Sequence, residues 1–229
     1  MPPGLPALAT ALLRSPAEVV EALRARTSLF GGLAIIVLLA MSMTGLVMAS
    51  FSGGLQLLWV PLKVSVGLLL CGLICLPSLF IFTSLAGGRQ SFRETAGALM
   101  MGLALIGVLL VGFAPVTWLF SQATTSVVFM GSLHVIFFLV SAWFGIGLIR
   151  RALATGGSAP RGSGLWACLF VLVALQMSTT LRPLIGPDDG RLFHDKQFFL
   201  VHWVTGDAGS GNTWQDPYAY DTDDAALHE

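Results

Sequence analysis

Charge is what this sequence has least of. Asp, Glu, Lys and Arg make up 10% of its 229 residues, against about 25% in ordinary soluble domains. A chain this poor in charge cannot clothe a water-facing surface. Between Glu21 and Asp188 its sole acidic residue is Glu94, so the apolar runs hold no paired carboxylates for acid–base catalysis or proton relay. No basic cluster resembles a nucleic-acid surface. Cysteine is scarce too. Cys71, Cys75 and Cys168 all lie in apolar runs without further ligands nearby, so neither a disulfide framework nor a metal site follows, and they read as small hydrophobes. No HExxH or GxSxG motif occurs, and the glycines of "GDAGSGNTW" lack the lysine of a phosphate loop. These absences point away from an enzyme and imply no cofactor.

What the chain has is long hydrophobic runs. It is 55% hydrophobic, with a mean hydropathy of +0.81. A run near 20 residues can cross a hydrocarbon core of about 30 Å. Five qualify: Leu29 to Phe51, Leu58 to Ser84, Ala96 to Phe120, Ser126 to Ile149 and Leu165 to Leu181. The breaks between them carry turn chemistry, as in "SFSGG" and "LAGGRQSFRE". The expected fold is all-α, an integral membrane bundle of five transmembrane helices with antiparallel chain neighbours.

Lys and Arg gather before the first run and in the second and fourth loops, and are missing from the first and third. By the positive-inside bias the amino terminus is cytoplasmic, and five spans send the carboxyl terminus outside. Trp59 and Trp118 then stand at the outer edge and Trp166 at the inner edge, as interfacial anchors. The first run, ending near "VMAS", is longer than a signal-peptide core and sits 28 residues in, so it reads as an uncleaved anchor.

Three regions follow: a cytoplasmic segment over 1–28, a transmembrane domain over 29–184, and an acidic extracytoplasmic tail over 185–229 whose end is low in aliphatics and reads as disordered. In the first, "SPAEVVEALRAR" places Ser15 to cap, Pro16 at the first helical position and Glu18 to complete a capping box. A short helix on the cytoplasmic membrane face is expected there, or a partner-docking one.

The third run has glycine at 97, 102, 107 and 112. A spacing of five turns each glycine about 140° from the last, so they wind around the helix and suit one packed on several sides. Pro77 and Pro115 are expected kinks.

Ionisable residues inside spans are functional candidates. Lys63 and His134 are the two, and both fall in the outer half with Gln122 and Gln176. They form the candidate polar site. Lys63 can snorkel outward past Trp59; His134 can bond Gln176 or a serine between helices, or hold a ligand. In "ALQMSTTLRPLIGPDDG" polarity rises toward Pro183 as the last helix leaves the membrane. Beyond it, "LFHDKQFFLVHWV" is too short to span, and Phe198, Phe199 and Trp203 are candidate partner-docking residues. A metal on His194, Asp195 and His202 has only an unspecific spacing behind it.

The stretch "CLPSLFIFTSLAGGRQSFRETAGALMMGLALIGVLLVGFAPVTWLFSQAT", with "LQMSTTLRPLIG", resembles a family of uncharacterised bacterial multi-pass membrane proteins. More loosely the chain is similar to Yip1-like five-span proteins, over roughly residues 15–185. The "DLYGP" segment of eukaryotic members is absent, so that likeness implies topology and no functional residue. The bacterial resemblance implies the cell inner membrane. The expected function is a non-enzymatic scaffold or accessory subunit, its partners being the lipid bilayer and other membrane protein subunits. The alternative is a small transporter or channel with a shallow polar cavity in the outer half.

Overall fold

The computed structural model of the chain describes residues 4–25, 28–52, 56–88, 90–124, 127–154 and 162–180. Phe198, Phe199 and Trp203, and the tail that holds them, lie outside the described residues. Among those described, all regular structure is helical: α1 (Leu5–Arg14), α2 (Pro16–Ala25), α3 (Ser28–Ser52), α4 (Gln56–Leu85), α5 (Phe92–Ala123), α6 (Val127–Ala152) and α7 (Ser163–Thr180).

Among the described residues four helices are long and apolar enough to cross a membrane, over Leu29–Ser50, Leu57–Leu85, Phe92–Ala123 and Phe129–Ala152. Five were expected, and the fifth run is where the count changes. Among the described residues the apolar part of α7, Ser163–Met177, extends about 22 Å at 1.5 Å per residue, short of a core of about 30 Å. Between 33% and 50% of each long span is buried within the protein, so the remaining apolar faces look outward, the arrangement of a bundle solvated by lipid.

The third run starts a turn earlier than hydropathy alone indicates. Ser91 accepts from the Glu94 N–H at 3.2 Å, and a Glu94 carboxylate oxygen accepts from the Ser91 N–H at 2.8 Å. This reciprocal box closes the first turn of α5. At Ser15 the bonds are backbone ones, from the Glu18 and Val19 N–H groups to the Ser15 carbonyl.

Helices α3 and α4 form one antiparallel hairpin, α5 and α6 another. In the second, Phe113 stacks on Phe137 and Phe120 meets Phe129 edge-on, so residue numbers fall along one helix as they rise along the other. The hairpins join chiefly through α3 and α5. Helix α7 does not pack mainly on α6, its neighbour in the chain, but on α4. The reason is a buried anchor. Trp166, expected at the inner membrane surface, is fully buried; its indole N–H donates to the Cys75 carbonyl at 3.1 Å and its ring stacks on Phe170. Cys71 approaches the Phe170 carbonyl at 3.9 Å one turn further along.

The winding glycines of α5 meet a different neighbour at each step. A Cβ at Gly97 would strike Leu23 of α2; at Gly102, Ile149 of α6; at Gly107 it would lie 3.1 Å from Ala40 of α3; at Gly112 it would meet nothing within 4 Å. Helix α5 is therefore the centre of the bundle at its first three glycines and open at the fourth. Pro77 and Pro115 both lie inside continuous helices.

The amino-terminal segment is built into this bundle. Leu8, Leu12 and Val19 are buried in the same apolar cluster as Leu33, Met101 and Ile149. Helices α1 and α2 pack on α3 and α5, closing the end at which Gln90 donates to the Leu153 carbonyl at 2.9 Å and ties the α4–α5 connection to the end of α6.

Candidate functional site

His134 is the most informative of the polar residues expected inside the membrane. It stands on α6, and its Nδ1 lies 2.7 Å from the Met130 carbonyl one turn back. A carbonyl can only accept, so Nδ1 carries the hydrogen and donates. In the neutral ring that leaves Nε2 as an acceptor. Nε2 is buried and has no hydrogen-bond partner among the described residues, and the same holds for the Ser141 hydroxyl two turns along the helix. The expected bond from His134 to Gln176 is therefore not formed: Gln176 belongs to α7, which packs on α4 and barely touches α6.

The other candidates are spread over the bundle. Lys63 is half-buried on α4, and Gln122 is exposed at the end of α5, donating to Ser121 at 3.2 Å. Gln176 is half-buried on α7. Two hydroxyls that residue type alone did not nominate also join helices. Ser42 of α3 and Ser65 of α4 share a hydrogen bond of 3.0 Å, and Ser65 also reaches the Pro61 carbonyl at 2.7 Å. Hydroxyls this short are camouflaged in an apolar run because each can bond its own helix. Their signal was the nearby Gly45, whose Cβ would lie 2.6 Å from Pro61 Cα and which draws the two backbones together.

Among the described residues no three His, Cys, Asp or Glu side chains converge as metal ligands would. The sequence matches no family model, no curated protein and no solved structure. Any function must be read from the surfaces of this chain itself.

The outward face of α6 is the most distinctive of them. Ile136, Leu139, Val140, Trp143 and Phe144 are exposed at the i, i+3, i+4, i+7, i+8 spacing of one helical stripe. Trp143 is 79% exposed and lies seven residues, about 10 Å, from Arg150. Tryptophan ordinarily sits at the headgroup level with its N–H in contact with water. Here it stands well inside the apolar span. Gly147, one turn further, would offer a Cβ nothing within 4 Å, so the stripe is a large aromatic ridge beside a small gap.

Proposed function

We propose that this chain is a non-enzymatic multi-pass protein of the cell inner membrane that serves as a scaffold or accessory subunit of a larger membrane assembly. The observation carrying this reading is the α6 stripe, with Trp143 and Phe144 exposed at membrane depth. An indole there is poorly served by hydrocarbon and well served by a neighbouring helix that supplies packing and an acceptor. A glycine gap beside an aromatic ridge lets such a helix approach closely.

The same reading has the amino terminus in the cytoplasm, as in Yip1-like proteins. Its support is the grouping of charge. Arg14, Arg93, Arg150 and Arg151 all belong to helix ends on the side of the bundle where α1 and α2 pack, which the positive-inside bias assigns to the cytoplasm. Helix α7 runs antiparallel to α4 from Trp166–Cys75 to Phe170–Cys71, heading away from that end.

The test is the size of the native assembly. Solubilised from its own membrane in mild detergent, the chain migrates as a defined complex, and Trp143→Ala with Phe144→Ala releases it as a lone folded chain. Both side chains are exposed, so the fold has little stake in them. A wild-type chain that already migrates alone would remove the reading.

A further inference from the structure

Pro77 lies inside α4, where it breaks the backbone ladder. It has no N–H for the Leu73 carbonyl, and its ring crowds that carbonyl, which bends a helix away from the proline side. Leu73 and Pro77 are both exposed and share one outward face of α4. Beyond the break, Ser78 donates to the Cys75 carbonyl at 2.8 Å, and Thr83 bonds back to the Leu79 and Phe80 carbonyls at 3.0 and 2.9 Å. Hydroxyls bonded back in this way loosen and bend a helix further. By itself, α4 is built to hinge at Pro77.

Helix α7 touches α4 on both sides of this break. Before it, the Phe170 carbonyl faces Cys71 at 3.9 Å and the Trp166 indole donates to the Cys75 carbonyl at 3.1 Å. After it, a Cβ at Gly162, just ahead of α7, would lie 3.2 Å from the Phe82 ring. Cys71, Cys75 and Phe82 form one stripe of α4, about 120–160° around the helix from Pro77. That is the concave side of a bend at the proline, and α7 fills it. The attachment is local. Trp166 and Phe170, both fully buried, carry it; α7 scarcely packs on α6, its chain neighbour. Residues 155–161, between the two, reach roughly 23 Å at full extension, so the connection does not itself pin α7 in place.

We infer that α7 is a removable brace whose docking sets the bend of α4 at Pro77. Docked, it props the two halves of α4 at the bend seen here; undocked, the last turns of α4 fold toward the vacated side. The motion has an outlet. The α4–α5 connection is tied to the end of α6 by Gln90, which donates to the Leu153 carbonyl at 2.9 Å, so a swing of α4 pulls on both. Removal of α7 from α4 thus switches that end of the bundle between two arrangements. The α6 stripe takes no part in this device, which stands apart from the assembly proposed above.

The test is a distance between two spin labels on the full chain in nanodiscs, read by double electron–electron resonance. Leu85→Cys at the end of α4 and Arg150→Cys at the end of α6 carry the labels, both at exposed positions. Cys71, Cys75 and Cys168 are replaced by alanine, which keeps the Cys75 backbone carbonyl. Leu85 lies about 12 Å beyond Pro77, so a change of about 20° in the bend moves it by about 4 Å. With Trp166 in place one narrow distance is expected. Trp166→Ala is expected to shift it by several ångströms and broaden it. Adding Pro77→Ala, which returns the missing N–H, is expected to narrow the distribution again although α7 stays undocked. Trp166→Phe is the gentler variant, keeping a ring and losing only the donor, and it too is expected to broaden the distribution. An unchanged distribution in every folded Trp166 variant, or one equally broad with and without Pro77, would overturn the brace.

Discussion

Gly102 of α5 and Gly145 of α6 bring two backbones into mutual contact. A Cβ on Gly102 would lie 3.0 Å from the Gly145 carbonyl oxygen, and one on Gly145 would lie 2.8 Å from that of Gly102. Neither obstacle is a side chain that can turn away. Gly112, on the same helix, has open space where its Cβ would be.

The pair therefore makes an internal control. Gly145→Ala should destabilise the bundle by about 1–3 kcal/mol through overpacking. Gly112→Ala should be neutral or stabilising by up to about 1 kcal/mol, since it only improves helix propensity. Reversible unfolding of the purified protein in mixed micelles compares the two. Equal effects would mean that the α5–α6 crossing is looser than described.

Trp166 is predicted to hold α7 on α4. In Trp166→Ala the Cys75 carbonyl loses the indole N–H, and the void costs about 3–5 kcal/mol. The consequence can be read with a membrane-permeant maleimide on protein in mild detergent. In the wild type Cys168, which is exposed, reacts ahead of the buried Cys71 and Cys75. The substitution should bring Cys75 into the reactive set. Unchanged labelling would place the anchor elsewhere.

His134 yields a prediction whose sign matters. A buried Nε2 without a partner contributes a desolvation cost, so the apolar His134→Phe should be neutral or stabilising by about 1–3 kcal/mol. A marked loss of stability, or loss of a co-purifying chromophore, would mean that the imidazole holds a ligand. The same unfolding assay, with a visible spectrum of the wild type, decides it.

The features readable from the sequence were those set by one helix alone. Hydropathy located the four long spans within a few residues, because transfer from water to hydrocarbon acts on each segment independently. The rotation of the glycines around α5 needed only helical geometry. What escaped was set between helices. Trp166 looked like an interfacial anchor because tryptophan near a span end usually is one; its burial depends on a carbonyl 91 residues away. The pairing of α7 with α4 depends on that same bond. Helix α1 went unread because it is short and begins at Gly4, which offers no capping side chain, although Leu8 and Leu12 mark its buried face. The Ser91–Glu94 box was legible as S-x-x-E but lay in what read as a loop. Of the polar candidates, residue type could nominate His134 and Gln176, but only packing could show that they stand on helices that barely meet.

The proposed assembly requires the α6 stripe to bind another membrane protein. A photoreactive benzoyl-phenylalanine at position 143, irradiated in cells that make this chain, tests it most directly, with position 73 on α4 as the control because Leu73 is exposed to a similar extent. A discrete adduct with a membrane protein is expected from position 143 and none from 73. Lipid adducts alone at both positions would contradict it.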